Sequence, residues 1–438
     1  GPAARLGRPD GDCPGFQRGH PVQLGHCGAQ AGRNPNAHRQ PRFSKAGGRG
    51  AGGPYPAYAA DPFARPGAGG KCRRGGGNYP NYDLNLYSEQ YSAYSADPGL
   101  PLFNRALQGQ YTPGSTFKPA VALAALTQGI VTPQDTVECT GTYMYYAPTY
   151  TPGCLRYHRG VSRVDLNTAL QHSCNIYFYD VVGIDRYNQM ANDLGLGVRT
   201  GVEVNEAAGR LTHKEDDNYT VGLEIQAAIG QGNTMVTPVQ LATYASTIAN
   251  NGIRWRTHLV AGFCDTNTGE IIEKAEPEIE ARINDPVGAF AAVQQGMVSA
   301  AKTSSVLAGY AYPLAVKTGS PQRSEWYMSG TQRTYYTNTV MIAYGPVDDP
   351  EIAVAIVLEY GGGGSNAAPL LVDIFNAYYF DKTSSLQPTE EGVLLPCAGP
   401  WPGAVLFKKG RRRPLAAQAG RFVQPGASKD VLSGKYTR

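Results

Sequence analysis

Gly114-Ser115-Thr116-Phe117-Lys118-Pro119 sets a serine and a lysine three residues apart at the head of an apolar run. The run continues through Ala, Val and Leu to Thr127, and Gly129 stops it. This pattern predicts a helix from Pro119 to Thr127, with Ser115 and Lys118 sharing one face. Pro119 suits a first helical turn, where its missing N–H would have had no partner. A serine hydroxyl is a weak nucleophile until a base removes its proton, and a lysine desolvated near other cations can act as that base. The positive end of the helix favours negative charge developing at Ser115.

A Ser-x-x-Lys match is weak by itself, since about one is expected by chance in a chain of this length. A second one, Ser299-Ala300-Ala301-Lys302, reads as an accidental surface pair on a helix. Lys302-Thr303-Ser304 and Lys382-Thr383-Ser384 only approach Lys-Thr-Gly. Order and spacing decide between the matches. After Ser115 come Ser173-Cys174-Asn175 and then Lys317-Thr318-Gly319-Ser320. Ser173 and Asn175 alternate around Cys174, so a turn can aim both into one cleft, Ser173 to relay a proton and Asn175 to hold a substrate amide. Lys317-Thr318-Gly319 ends the extended run Leu314-Ala315-Val316. On a strand, Lys317 and Gly319 face one side and Thr318 the other. Gly319 admits a ligand close to the backbone, and the N–H groups of Ser320 and Ser115 can form an oxyanion hole.

Outward from these motifs the chain changes character twice. Residues 1–77 are about a quarter glycine, rich in Arg and Pro and devoid of Glu, Ile, Met and Trp, a composition expected to stay disordered. Residues 78–395 read as one globular body. Residues 396–438 carry Lys408-Lys409-Gly410-Arg411-Arg412-Arg413 and read as a solvated basic tail. The composition of the two ends also suits segments that are not native coding sequence. Within the body, Val164 to Val182 has helical spacing broken at Ser173. Thr237 to Ala249 reads as a capped helix ending at Asn250-Asn251-Gly252, and Leu370 to Phe380 as a final amphipathic helix. Thr339 to Tyr344 and Glu351 to Leu358 are β-rich runs around a Gly/Pro/Asp turn. Together they predict an α/β body with an antiparallel sheet.

The balance of 39 basic against 35 acidic side chains, net +4, argues against nucleic acid as a partner. The Gly/Arg arm likewise lacks an aromatic-basic platform. No apolar stretch reaches the roughly 18 residues of a membrane span. The eight cysteines lack the paired C-x-x-C spacing of a zinc site. Cys139 and Cys154 flank a Tyr-rich stretch and form either a disulfide or two free thiols.

The body resembles the transpeptidase domain of penicillin-binding proteins, of the class B, elongation or sporulation type found in Gram-positive bacteria. Beyond the three motifs, the likeness rests on Phe103-Asn104-Arg105-Ala106, Gln110-Tyr111-Thr112-Pro113, Ala228-Ile229-Gly230-Gln231-Gly232, Val236-Thr237-Pro238-Val239-Gln240-Leu241-Ala242 and Ala343-Tyr344-Gly345-Pro346. The resemblance implies a five-stranded antiparallel sheet between helices, with a mostly helical subdomain and the site at their junction. It implies that Ser115 attacks a D-Ala-D-Ala stem peptide with Lys118 as its base. Ser173 then relays the proton, Asn175 positions the donor, and Lys317 and Thr318 bind the terminal carboxylate. Ser115 and Ser320 supply the oxyanion hole beside Gly319. The implied partners are peptidoglycan stem peptides, β-lactams and a membrane-embedded glycosyltransferase, at the outer face of the bacterial cytoplasmic membrane, with no metal or cofactor. Where that family carries an apolar strand before Asn78, this chain has Gly69-Gly70-Lys71-Cys72-Arg73-Arg74-Gly75-Gly76-Gly77. The expectation is therefore a sheet that lacks this strand. Pro321 to Tyr336 reads as a polar, aromatic-bearing flap over the site.

Other readings remain open at this level. A serine β-lactamase, a D,D-carboxypeptidase and a β-lactam sensor share the motifs, and a truncated or frameshifted product would retain them without activity.

Overall fold

A computed structural model describes residues 75–154, 163–179, 181–260, 262–264, 271–329, 332–380 and 404–408. Most of residues 1–77 and 396–438 lie outside the described residues, and with them the expectation of disorder.

The core is a five-stranded sheet of β1 (Gly75–Gly77), β2 (Ala315–Gly319), β5 (Thr339–Gly345), β6 (Ile352–Leu358) and β7 (Ala404–Lys408), in the order β1-β7-β6-β5-β2. A two-stranded hairpin, β3 (Gln322–Ser329) and β4 (Gln332–Thr337), rises between β2 and β5 and forms its own ladder. β5 and β6 are buried at all seven positions. This explains why their sequences are continuous Val/Ile/Ala runs rather than alternating ones, because helices cover both faces of such strands. The antiparallel register sets Tyr344 opposite Ala353 and Val340 opposite Val357 on one side of β5, and Ile342 opposite Lys317 on the other.

The helices that matter for the site are α1 (Lys118–Thr127), α2 (Leu166–His172), α3 (Ile184–Asp193), α4 (Val221–Ala228), α5 (Pro238–Ala249), α6 (Ala289–Ala301) and α7 (Ala368–Phe380). α5 lies against β6 and α6 against β2, and α1 and α2 both touch α6. α5 starts as its sequence requires. Thr237 accepts from the Gln240 N–H, the Gln240 side chain caps the Thr237 N–H, and Pro238 follows. α1 buries every residue from Lys118 to Leu126, so a lysine heads a helix enclosed along nearly its whole length.

Two expectations are corrected. Gly75–Gly77 does form a strand, pairing with Val405 and its neighbours. A ladder at a sheet edge needs backbone N–H and C=O groups, which glycine supplies as well as any residue, and β1 is such an edge. The segment after residue 395 also contributes to the body: Ala404–Lys408 pairs with β6 on one side and β1 on the other. Its Ala-Val-Leu-Phe run sits immediately before the basic cluster that dominated the composition of the tail.

The core holds many tyrosines. Burial pushes the hydroxyl pKa values of Tyr179, Tyr187, Tyr244 and Tyr344 above their ordinary 10.0. In the unfolded chain these hydroxyls ionise from about pH 10, whereas in the folded protein they keep their protons. Their contribution to stability is therefore complete below pH 10 and is lost as pH rises towards the folded values. Each costs up to about 1.4 kcal/mol per pH unit across that window. Thermal melts from pH 8 to pH 11.5 are expected to be flat to about pH 10 and then to fall steeply.

Candidate active site

Ser115 sits in a 3-10 turn, Gly114–Phe117, that runs directly into α1. It is partly exposed, while Lys118 one turn on is fully buried. The turn is held from behind. Gly114 donates its N–H to the Gly230 carbonyl at 2.8 Å, and the Thr116 hydroxyl donates to the Pro113 carbonyl at 2.8 Å. Gly230 has φ of 73°, and a Cβ there would lie 2.1 Å from the Gly114 oxygen. Gly230→Ala is therefore expected to displace the Ser115 turn, lowering the melting temperature and slowing covalent labelling of Ser115 together. A normal labelling rate would show that the turn does not depend on this contact.

α2 begins at the N-cap Asp165, which accepts from the Thr168 N–H, and ends at Ser173 with φ 58° and ψ 43°. A non-glycine residue in this left-handed conformation is strained, and such strain concentrates at functional sites. The turn brings Ser173 and Asn175 onto Lys118. The Lys118 ammonium donates to the Ser173 carbonyl at 2.8 Å, the Ser173 hydroxyl at 3.2 Å and Asn175 Oδ1 at 2.6 Å. From β2, Lys317 Nζ reaches the same Ser173 hydroxyl at 2.9 Å and the Thr318 carbonyl at 3.0 Å. Three motifs far apart in sequence thus meet at one serine hydroxyl contacted by two buried lysines. Asn175 Nδ2 donates to the Gly153 carbonyl at 3.4 Å, so both ends of its amide are engaged.

The strand alternation holds as well. On β2, Lys317 and Gly319 face the Ser173 and Ser115 side. A Cβ on Gly319 would lie 3.4 Å from the Ser115 nitrogen and 2.6 Å from the Pro113 carbonyl. The end of β2 therefore lies directly against the Ser115 turn, and only glycine allows this. Thr318 packs against Gly364, and the Ser320 hydroxyl accepts from the Gly364 N–H at 2.7 Å. The site consequently lies between an edge strand of the sheet and the helical layer.

One cluster was not legible beforehand. Cys139, Cys154 and Cys174 bring their sulfurs within 4.8 Å of one another, all buried, with Cys154 and Cys174 Sγ 4.0 Å apart. They are thiols, so the disulfide alternative for Cys139 and Cys154 is not the one observed. A neighbouring thiol's hydrogen bond and burial push Cys174 up, and burial does the same for Cys139. Tetrahedral zinc with sulfur at about 2.3 Å sets its ligands roughly 3.8 Å apart, so these residues can hold three corners of such an ion. An ion there would be structural, tying residues 139 and 154 to the segment bearing Ser173 and Asn175. One equivalent of Zn²⁺ is expected to bind, releasing protons and raising the melting temperature, which titration in a pH-indicator buffer would measure. No paired C-x-x-C spacing marks these three, because they come from separate loops.

A partly exposed serine one turn ahead of a buried lysine, a second serine shared by two lysines and a lysine-bearing strand against the Ser115 turn have the arrangement that serine acyl transfer needs, on a sheet-and-helix frame. Residues 77–376 match the penicillin binding protein transpeptidase domain, and the chain belongs to that family. It is similar to the peptidoglycan D,D-transpeptidase MrdA of Haemophilus influenzae, with 32% identity over 338 residues, covering 70% of this chain and 51% of that protein. It also resembles the peptidoglycan D,D-transpeptidase PbpA of Mycolicibacterium smegmatis, with 32% identity covering 66% of this chain and 61% of that one. Among solved structures, Pseudomonas aeruginosa PBP2 in complex with WCK 5153 superposes with a TM-score of 0.60 at 29% identity, covering 70% of this chain and 71% of that one. The ceftriaxone acyl-enzyme of penicillin-binding protein A from M. tuberculosis gives a TM-score of 0.60 at 27% identity, covering 68% and 69%. The chain spans about half the length of the MrdA proteins it matches. The expected α/β fold, with its antiparallel sheet, is the fold observed.

Proposed function

We propose that this chain is the catalytic part of a peptidoglycan D,D-transpeptidase. The observation that carries the reading is the Ser173 hydroxyl, held between Lys118 and Lys317 beside the Ser115 turn. Once it has given up a proton, Lys118 takes the Ser115 proton as Ser115 Oγ attacks the carbonyl of the penultimate D-Ala. The N–H groups of Ser115 and Ser320 stabilise the oxyanion, and Thr318 with Lys317 holds the terminal carboxylate. The proton passes through Ser173 to the leaving D-Ala amine, the peptide bond breaks and an ester forms at Ser115. The amine of a neighbouring stem then attacks the ester, a new peptide bond closes, and Ser115 regains its proton.

The named relatives support this reading, as do solved neighbours that include β-lactam acyl-enzymes and a peptidoglycan synthase complex. By the same analogy, the chain would act in the bacterial cell envelope beside a membrane-embedded glycosyltransferase. Among the described residues no helix is long and apolar enough to cross a membrane. The test is fluorescent-penicillin labelling followed over hours, together with D-Ala release from a D-Ala-D-Ala peptide given an amine acceptor. A long-lived adduct and acceptor-dependent release are expected. Rapid loss of the adduct, with release by water alone, would replace the transpeptidase with a hydrolase.

A further inference from the structure

β2 passes through Ser320 and Pro321 directly into the β3–β4 hairpin. Its base is beside the nucleophile: the Pro321 carbonyl accepts from the Asn338 N–H at 3.0 Å, and its ring would meet a Cβ on Gly114 at 3.1 Å. A two-stranded hairpin is marginal by itself, and this one is pinned on one face. The Arg323 guanidinium lies 4.1 Å over the Tyr360 ring and bonds to Asn338 Oδ1, which also accepts from the Tyr360 N–H. Tyr336 packs edge-on against Tyr360 and also meets Tyr327.

The opposite face is left open. Trp326 pairs across the hairpin with Tyr335, and Met328 with Arg333, so the four share one face. Trp326, Met328 and Tyr335 are 45%, 55% and 38% exposed, which is unusual for such side chains lying side by side. The Arg333 guanidinium lies 4.2 Å over Trp326 and 5.1 Å from the Tyr335 ring. Arg323 has Glu325 as an ion-pair partner at 2.9 Å, whereas Arg333 has no ion pair among the described residues. A guanidinium stacked on rings keeps its in-plane N–H fork free for a planar carboxylate, and the rings and thioether beside it suit apolar ring faces.

We propose that Trp326, Met328, Arg333 and Tyr335 form the docking face for the polymeric substrate. Its occupant is a peptide-bearing glycan strand, whose stem carboxylate is taken by Arg333 while the aromatic ladder supports the strand next to the site. The inference rests on the transpeptidase reading of Ser115, and the two are tested separately. Penicillin labelling of Ser115 reports that reading. Cosedimentation of the full chain with purified peptidoglycan sacculi reports the docking face. The wild type is expected to pellet with native sacculi, and Arg333→Ala and Trp326→Ala to bind about tenfold more weakly. Sacculi whose carboxyl groups are amidated should bind the wild type about as weakly as native sacculi bind Arg333→Ala. Arg333→Gln, with its stem retained, serves if the alanine variant melts early. Wild-type affinity in the Arg333 and Trp326 variants, equal binding of amidated sacculi, or no binding by the wild type would each overturn the proposal.

Discussion

Ser115→Ala is expected to abolish covalent labelling by fluorescent penicillin, and Ser299→Ala to leave it at the wild-type level. The two serines head the same four-residue pattern, so the contrast tests position rather than motif. Ser115 is partly exposed in a turn held by Gly230, with Lys118 buried beneath it. Ser299 lies inside α6, is 8% exposed and donates to Asn167 Oδ1 at 2.9 Å, while Lys302 beyond it is exposed. The sequence suggested a surface pair, but the structure shows Ser299 as a bolt between α6 and the first turn of α2. Removing its hydroxyl should cost about 1 kcal/mol of stability without touching acylation. Peptide mapping of the labelled chain decides the matter, and an adduct surviving Ser115→Ala would move the nucleophile elsewhere.

Local signals carried much of this site. The Ser-x-x-Lys spacing, the capped start of α5 and the period-two alternation at Lys317-Thr318-Gly319 each encode their geometry within a few residues, and each appears in the structure. What escaped was non-local. The thiol cluster is assembled from three loops, and no spacing rule relates Cys139 to Cys174. β1 carries no side chains that could fill a core face, and an edge strand of glycines is held by its backbone alone. β7 was hidden because the lysines and arginines just after Phe407 outweigh a four-residue apolar run. The Ser173-Cys174-Asn175 pattern marks Asn175 but not its partner: its carbonyl serves Lys118 at 2.6 Å.

Lys118 carries the second large effect. Its ammonium donates to two oxygens of Ser173 and to Asn175, and it lies 5.6 Å from the Phe178 ring with no exposure to water. Lys118→Met keeps the length and apolar stem but removes the base. It should lower the rate constant for acylation by about 10²–10⁴-fold, roughly 2.7–5.4 kcal/mol of barrier. A loss of stability is expected beside it. Three oxygens lose a buried donor, at about 1–3 kcal/mol for each one left unpaired, but the Ser173 hydroxyl still accepts from Lys317 and a like charge beside Lys317 disappears, which offsets part of that loss. Lys118→Arg separates charge from basicity, because a guanidinium stays protonated at any working pH. If Lys118 acts as the base, the arginine variant is nearly as slow as methionine although it keeps the cation. If Lys118 acts only as a fixed positive charge, arginine restores most of the rate, and the proton must then leave Ser115 through Ser173 towards Lys317. Stopped-flow acylation with a chromogenic cephalosporin, run on both variants, distinguishes these routes, since only the first leaves both variants slow while their melts remain cooperative.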